Sequence, residues 1–133
     1  MAKSKRKKLK DKLDQAVKPI IKLRDRNRCQ KCGKYVTGSN CHVSHVIPRS
    51  KGDSLRWELQ NLKVLCFHCH INWWHKNPLE SGEWFKDKFP SRWEYLQERK
   101  EKTIKYTLSE LEELLEYFRK KLKRKENIRK IMF

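Results

Sequence analysis

All five histidines of the 133-residue chain fall between His42 and His75, and all five cysteines between Cys29 and Cys69. A free imidazole titrates near pH ~6.5, so at neutral pH it can take a proton from water or offer a lone pair to a divalent ion. Thiolates are softer ligands, suited to Zn²⁺ or to iron and sulfur. Two stretches concentrate these groups: His42-Val-Ser-His45-Val-Ile-Pro48 and Asn61-Leu-Lys-Val-Leu-Cys66-Phe-His-Cys69-His70. Together they offer a base, an amide that could orient it or fix the loop around it, and imidazoles for a metal. Phosphodiester hydrolysis asks for that set: a water made nucleophilic, and a charge that offsets what builds on the phosphate and the leaving oxygen.

Cys29-Gln-Lys-Cys32-Gly33 and Cys66-Phe-His-Cys69 are two CxxC turns separated by residues 33–65. One CxxC also suits redox chemistry. Two with a core-sized insertion suit a tetrahedral structural Zn²⁺, with disulfides or an iron–sulfur centre as the alternatives. Cys41 is left over and reads as a buried free thiol.

The elements that must position these groups follow from the pattern around them. Cys41 to Ile47 alternates as a strand, Pro48-Arg-Ser-Lys-Gly-Asp-Ser is a cationic loop, and Leu62 to Leu65 is a second strand. From Cys66 to Lys76 the chain reads as a helix closed by Asn77-Pro78. On an α-helix, His75 stands about 140° round from His70, which sets it aside as a partner. His68 reads as exposed, and most of the five tryptophans as core rather than as base-stacking surfaces. Upstream, Leu9, Leu13, Val17, Ile20, Ile21 and Leu23 recur at helical spacing. Pro19 predicts a break into two helical pieces behind a basic arm over residues 1–12 that includes Lys3 and Lys5. Downstream, Ser91–Glu94 and Thr107–Glu110 are spaced as capping boxes. The last helix carries Leu108, Leu111, Leu115, Phe118 and Leu122 as a stripe that could pack on the core or on a second chain. The expected organisation is a basic N-terminal arm or helix (1–19), a central metal-binding domain (20–78) and a helical C-terminal extension (79–133).

His45-Val-Ile-Pro followed by Asn61-Leu-Lys-Val-Leu-Cys-Phe-His-Cys-His70 resembles the HNH endonuclease family, over Asp25 to about Lys76. That resemblance implies an α+β fold with a small ββα-metal core stapled by the four cysteines, and metal-dependent hydrolysis of DNA. It implies His45 as general base, Asn61 as the middle residue and His70 as a ligand of a catalytic Mg²⁺ or Mn²⁺. Many family members carry an acidic residue or a histidine immediately before the base, where this chain has Ser44. Strand alternation puts His42 on the face of Ser44, opposite His45, so His42 is the substitute ligand. Cys41-His-Val-Ser-His45 and the downstream Trp84-Phe-Lys-Asp-Lys-Phe-Pro also resemble the lambdoid phage recombination nucleases called NinG or Rap, which implies branched recombination intermediates as substrate.

Composition points the same way. Lys and Arg number 34 against 16 acids, a formal net charge of +18. Such a chain repels itself unless a polyanion neutralises it, so nucleic acid is the expected partner, with Arg49, Lys51, Arg56 and Lys63 the nearest cations to the candidate centre. The sequence contains no long apolar run and its start lacks an apolar segment behind the lysines, which predicts an intracellular protein. A non-catalytic zinc-stapled DNA-binding module and an RNA-directed or nonspecific nuclease are the alternative readings.

Overall fold

The computed structural model describes residues 4–132. It is an α+β arrangement in which a two-stranded sheet lies between a long N-terminal helix and a short helical segment, with three further helices closing the core. Helix α1, Lys5–Arg24, opens on Ser4, whose hydroxyl accepts from the Lys7 amide at 3.1 Å. Leu9, Leu13, Val17, Ile20 and Ile21 are its buried stripe. The break expected at Pro19 does not occur. Proline in a helix interior forfeits one backbone hydrogen bond and costs about 3 kcal/mol. Here Val17 on one side and Ile20 and Ile21 on the other are all at most 3% exposed, so both halves are held against the same core. The division anticipated after residue 19 therefore falls inside a single helix. Of the basic arm, Lys5 to Lys12 is helical, and Lys3 lies outside the described residues.

Past α1, Arg26 and Asn27 both take left-handed backbone conformations, at φ 55° and 54°, turning the chain into the first CxxC. Strand β1, His42–His45, pairs antiparallel with β2, Leu62–Leu65, in the register His42 with Leu65, Val43 with Val64, Ser44 with Lys63 and His45 with Leu62. The Arg24 and Asp25 side chains pin α1 to this sheet. Arg24 donates to the Leu59 and Leu62 carbonyls, and Asp25 accepts from the Val64 amide.

The segment after β2 is helical as expected but of a different kind: His68–Trp74 is a π-helix. Helices α2, Pro78–Lys88, and α3, Pro90–Arg99, both begin on a proline, whose missing N–H is no loss at a first turn. The capping box expected at Ser91 is absent for that reason, since Pro90 already starts the helix and places Ser91 inside it. The box at Thr107 forms in full, Thr107 N–H to Glu110 at 2.9 Å and Glu110 N–H to the Thr107 hydroxyl at 3.1 Å.

Helix α4, Leu108–Met132, runs alongside α1 in the same direction, with Lys5 bonded to Glu112 near the start and Lys22 and Lys125 lining one groove near the end. Its Leu111, Leu115 and Phe118 are buried. The middle of the stripe thus packs on the core beside α1, while Leu108 stays exposed. Among the described residues no helix is long and apolar enough to cross a membrane.

Candidate active site and zinc centre

The sulfur atoms of Cys29, Cys32, Cys66 and Cys69 all lie within 4.8 Å of one another. A tetrahedral Zn²⁺ with bonds of about 2.3 Å needs sulfurs roughly 3.8 Å apart, and Cys32 and Cys66 stand at 3.9 Å. The first turn supplies donors as well as ligands. Burial acts to raise the Cys29 thiol, but backbone hydrogen bonds from Cys32, Cys66 and Lys31 outweigh it and bring it down to about 7. A thiol that ionises near neutrality is ready for metal. The donor set is that of a structural zinc centre, and it ties the end of α1 to the end of β2. Cys41 is buried outside this cluster, as its leftover position suggested.

A cleft of about 960 Å³ opens beside the sheet, and His45, His70 and His75 all line it, together with Asp14 and Arg49. His45 Nε2 is 3.0 Å from the Arg56 carbonyl oxygen. A carbonyl can only accept, so Nε2 carries the proton and Nδ1 is left with its lone pair. Burial, more than the nearby Arg49 and Lys63 cations, lowers the His45 pKa below its ordinary 6.5, against the raising effect of that same carbonyl and of Asp14. The ring is neutral at pH 7, with one nitrogen tethered and the other able to accept.

The Arg56 carbonyl is itself held in place. Asp14, from α1, accepts from Arg56 Nε at 2.9 Å and Nη2 at 2.6 Å, and from Trp57 Nε1 at 2.8 Å. These bonds and the Arg49 charge outweigh burial and keep the Asp14 carboxyl below its usual range. Nothing in the sequence marked Asp14, because its partners are 42 and 43 residues away.

Asn61 is fully buried, and its amide hydrogen-bonds the loop rather than the His45 ring. Its Oδ1 accepts from the Ile47 amide at 2.7 Å, while Nδ2 donates to the Ile47 carbonyl at 3.0 Å and the Leu55 carbonyl at 2.9 Å. One amide therefore clamps both ends of the loop that leaves β1, the second of the two tasks open to it from the sequence.

His42 Nδ1 and His70 Nδ1 are 2.9 Å apart, so strand alternation did bring them together. His75 was excluded on α-helical geometry, and the π-helix overturns that. The His75 amide bonds to the His70 carbonyl five residues back, and the two Nε2 atoms lie 3.0 Å apart. The His70–His75 spacing in the sequence was the only signal, and it needed the wider turn to be read. Since His42 Nε2 bonds the Ser39 carbonyl, it must donate. His42 Nδ1 then accepts from His70, and His70 Nε2 accepts from His75. Burial, with His75 and His42 nearby, pushes the His70 pKa down to about 4, so it stays neutral. Cis ligands about 2.1 Å from a six-coordinate ion are about 3.0 Å apart. Either imidazole pair fits two such positions.

Two of the four expected phosphate contacts are taken up by other groups of the protein. Lys63 is 0% exposed; its ammonium lies 3.3 Å from the Trp74 ring centroid and 3.2 Å from Ser44 Oγ. The alternation of β2 turns it inward, and no phosphate can reach it. Arg56 is occupied by Asp14 and Asp53. Arg49 and Lys51 are exposed, and Arg49 lines the cleft, 3.4 Å from Asp14. His68 is exposed, Trp57 and Trp74 are buried, and Trp73, Trp84 and Trp93 are half-buried against the core.

Residues 29–72 match the family model described as HNH endonuclease. The matched segment begins at the first cysteine and ends within the π-helix, so it contains His42, His45, Asn61, His70 and all four cysteines. Comparison with curated proteins and with solved structures gives no match.

Proposed function

From the HNH endonuclease domain that residues 29–72 carry, we propose that this chain is a metal-dependent DNA endonuclease whose general base is His45. The observation that carries the reading is His45, held in the tautomer with an accepting Nδ1 by the Arg56 carbonyl and lining a cleft with His70 and His75. His45 takes the proton of the attacking water. Asn61 holds the loop that aims it, and Asp14 holds the carbonyl that orients it. His70, with His42 or His75, would hold a divalent ion, Mg²⁺ or Mn²⁺, which would supply positive charge to offset the negative charge that builds in phosphodiester hydrolysis. Arg49 and Lys51 bind flanking phosphates. The resemblance to phage recombination nucleases extends the reading to branched DNA.

A non-catalytic DNA-binding module is the second reading, and one observation favours it. Ser44, at the position where many of the family carry a ligand, accepts a hydrogen bond from Lys63 and is no ligand for a hard ion. One experiment decides between them. Wild type and His45→Ala are incubated with linear DNA, four-way junctions and RNA, with Mg²⁺, Mn²⁺ or EDTA. Metal-dependent cleavage lost in His45→Ala supports the nuclease, preference for junctions supports the branched substrate, and binding without cleavage supports the module.

A further inference from the structure

A basic groove lies at the far end of α1 from its first turn, apart from the cleft that holds His45. It has a volume of about 600 Å³ and is lined by Lys22, Arg26, Tyr35, Lys125, Ile128 and Arg129. Among the described residues no carboxylate lines it; Glu126, on α4, lines the neighbouring depression, which Lys22 and Arg129 also border. Among the described residues Lys22, Arg26, Lys125 and Arg129 form no ion pair. Four cations facing one groove with no carboxylate paired to them repel one another, and an anion lying between them relieves that repulsion.

The groove is also apolar. Tyr35 is 59% exposed and Ile128 is 53% exposed. Tyr35 is no loose surface residue. Arg28 and Tyr35 form an antiparallel bridge, Cys29 N–H bonds the Lys34 carbonyl at 2.9 Å, and Val36 N–H bonds the Asn27 carbonyl at 2.7 Å. The zinc turn thus fixes the backbone that carries the ring. Arg28 stands over the ring, 5.6 Å from its centroid. A rigidly mounted, exposed aromatic beside a row of cations suits a strand whose bases are free to stack. A duplex keeps its bases inside and offers phosphates alone.

We propose that this groove binds an unpaired stretch of a nucleic-acid strand, with a base stacked on Tyr35 and phosphates on Lys22, Arg26, Lys125 and Arg129. Lys22 lies about 12 Å along α1 from Asp14 at ~1.5 Å per residue. The groove gives the chain a preference for substrates with a single-stranded segment on one side of the cut. This rests on the nucleic-acid reading of the domain.

The test is fluorescence anisotropy of the full zinc-loaded chain, without added divalent cation, on a labelled oligothymidylate and on a duplex of equal length. Tyr35→Ala should weaken oligothymidylate binding at least ~5-fold, the lower end for one lost base–aromatic stack. Duplex binding should change less than about twofold, and Tyr35→Trp should restore the strand. Arg26→Gln with Arg129→Gln should reduce the slope of log affinity against log salt by about 0.7 per cation on the single strand. This pair stands independently should Tyr35→Ala lose zinc or melt early. Equal losses on strand and duplex, unchanged salt slopes, or displacement of the oligonucleotide by anionic vesicles as readily as by unlabelled strand would overturn the groove. Selective strand binding without any cleavage would leave the groove and remove the endonuclease. Cleavage with an unaltered Tyr35→Ala would do the reverse.

Discussion

His70 Nε2 and His75 Nε2 stand 3.0 Å apart because the backbone between them closes over five residues, the His75 amide bonding the His70 carbonyl at 3.1 Å. In an α-helix the same two side chains diverge. The wider turn therefore adds a third candidate imidazole to the two of the proposed cation site.

His75→Ala should raise the Mn²⁺ concentration for half-maximal activity by about tenfold or more, the scale seen when even an outer partner of a metal ligand is lost. His42→Ala should do little if His70 pairs with His75, and the reverse holds if His70 pairs with His42. Calorimetric titration of each variant with Mn²⁺ checks the assignment. Equal, wild-type affinity in His42→Ala, His70→Ala and His75→Ala would place the ion elsewhere.

Burial holds the His45 pKa below 6.5. A depressed imidazole pKa keeps the neutral base as pH falls through 6.5, so the acid limb of the kcat/KM profile should lie below that value. The linked stability has the same direction: it is full above 6.5 and is eroded as pH falls from there to the folded pKa. Asp14 acts to raise the pKa, so Asp14→Asn should move the limb lower still. A limb above 6.5 contradicts His45 as the base.

Asn61→Ala removes partners from the Ile47 amide, the Ile47 carbonyl and the Leu55 carbonyl at once. Each buried group left unpaired costs about 1–3 kcal/mol, so destabilisation above about 2 kcal/mol is expected in urea titration. Asn61→Asp keeps the acceptor for Ile47 N–H and loses both donations, which predicts a comparable loss. Full stability in Asn61→Ala would deny it the loop.

Lys63→Met should preserve zinc content, melting temperature and the salt dependence of DNA binding, because a buried cation exchanged for an apolar side chain of similar length is often neutral or stabilising. A flatter salt slope in the variant would mean that Lys63 reaches phosphate after all.

Zinc removal should be catastrophic. The four cysteines join α1, the turn at Gly33 and β2, so Cys69→Ser or a strong chelator should abolish cooperative melting rather than merely lower it. Circular dichroism with metal analysis reads this, and a folded, zinc-free chain in reducing buffer would be the contrary result.

The sequence determined what its periodicities and spacings encode locally. Two CxxC pairs required one tetrahedral centre, the alternation around His42 separated it from His45, and the extents of β2 and the Thr107 cap followed from side-chain type. It could equally place His42, His45, Asn61 and His70 in one small unit, because all four lie within one short run of chain. What only the tertiary structure decided depends on energies that no local window contains. Pro19 is carried through α1 because Val17, Ile20 and Ile21 are buried together, an effect of the sheet and α4 rather than of the helix. Lys63 reads as a surface cation until β2 is buried on both faces. His75 joins His70 only when the backbone adopts the wider turn, and Asp14 reaches Arg56 and Trp57 only when α1 lies across the loop. Each exchanges a local preference for a contact made at long range, and the size of that exchange is fixed only once the whole core has closed.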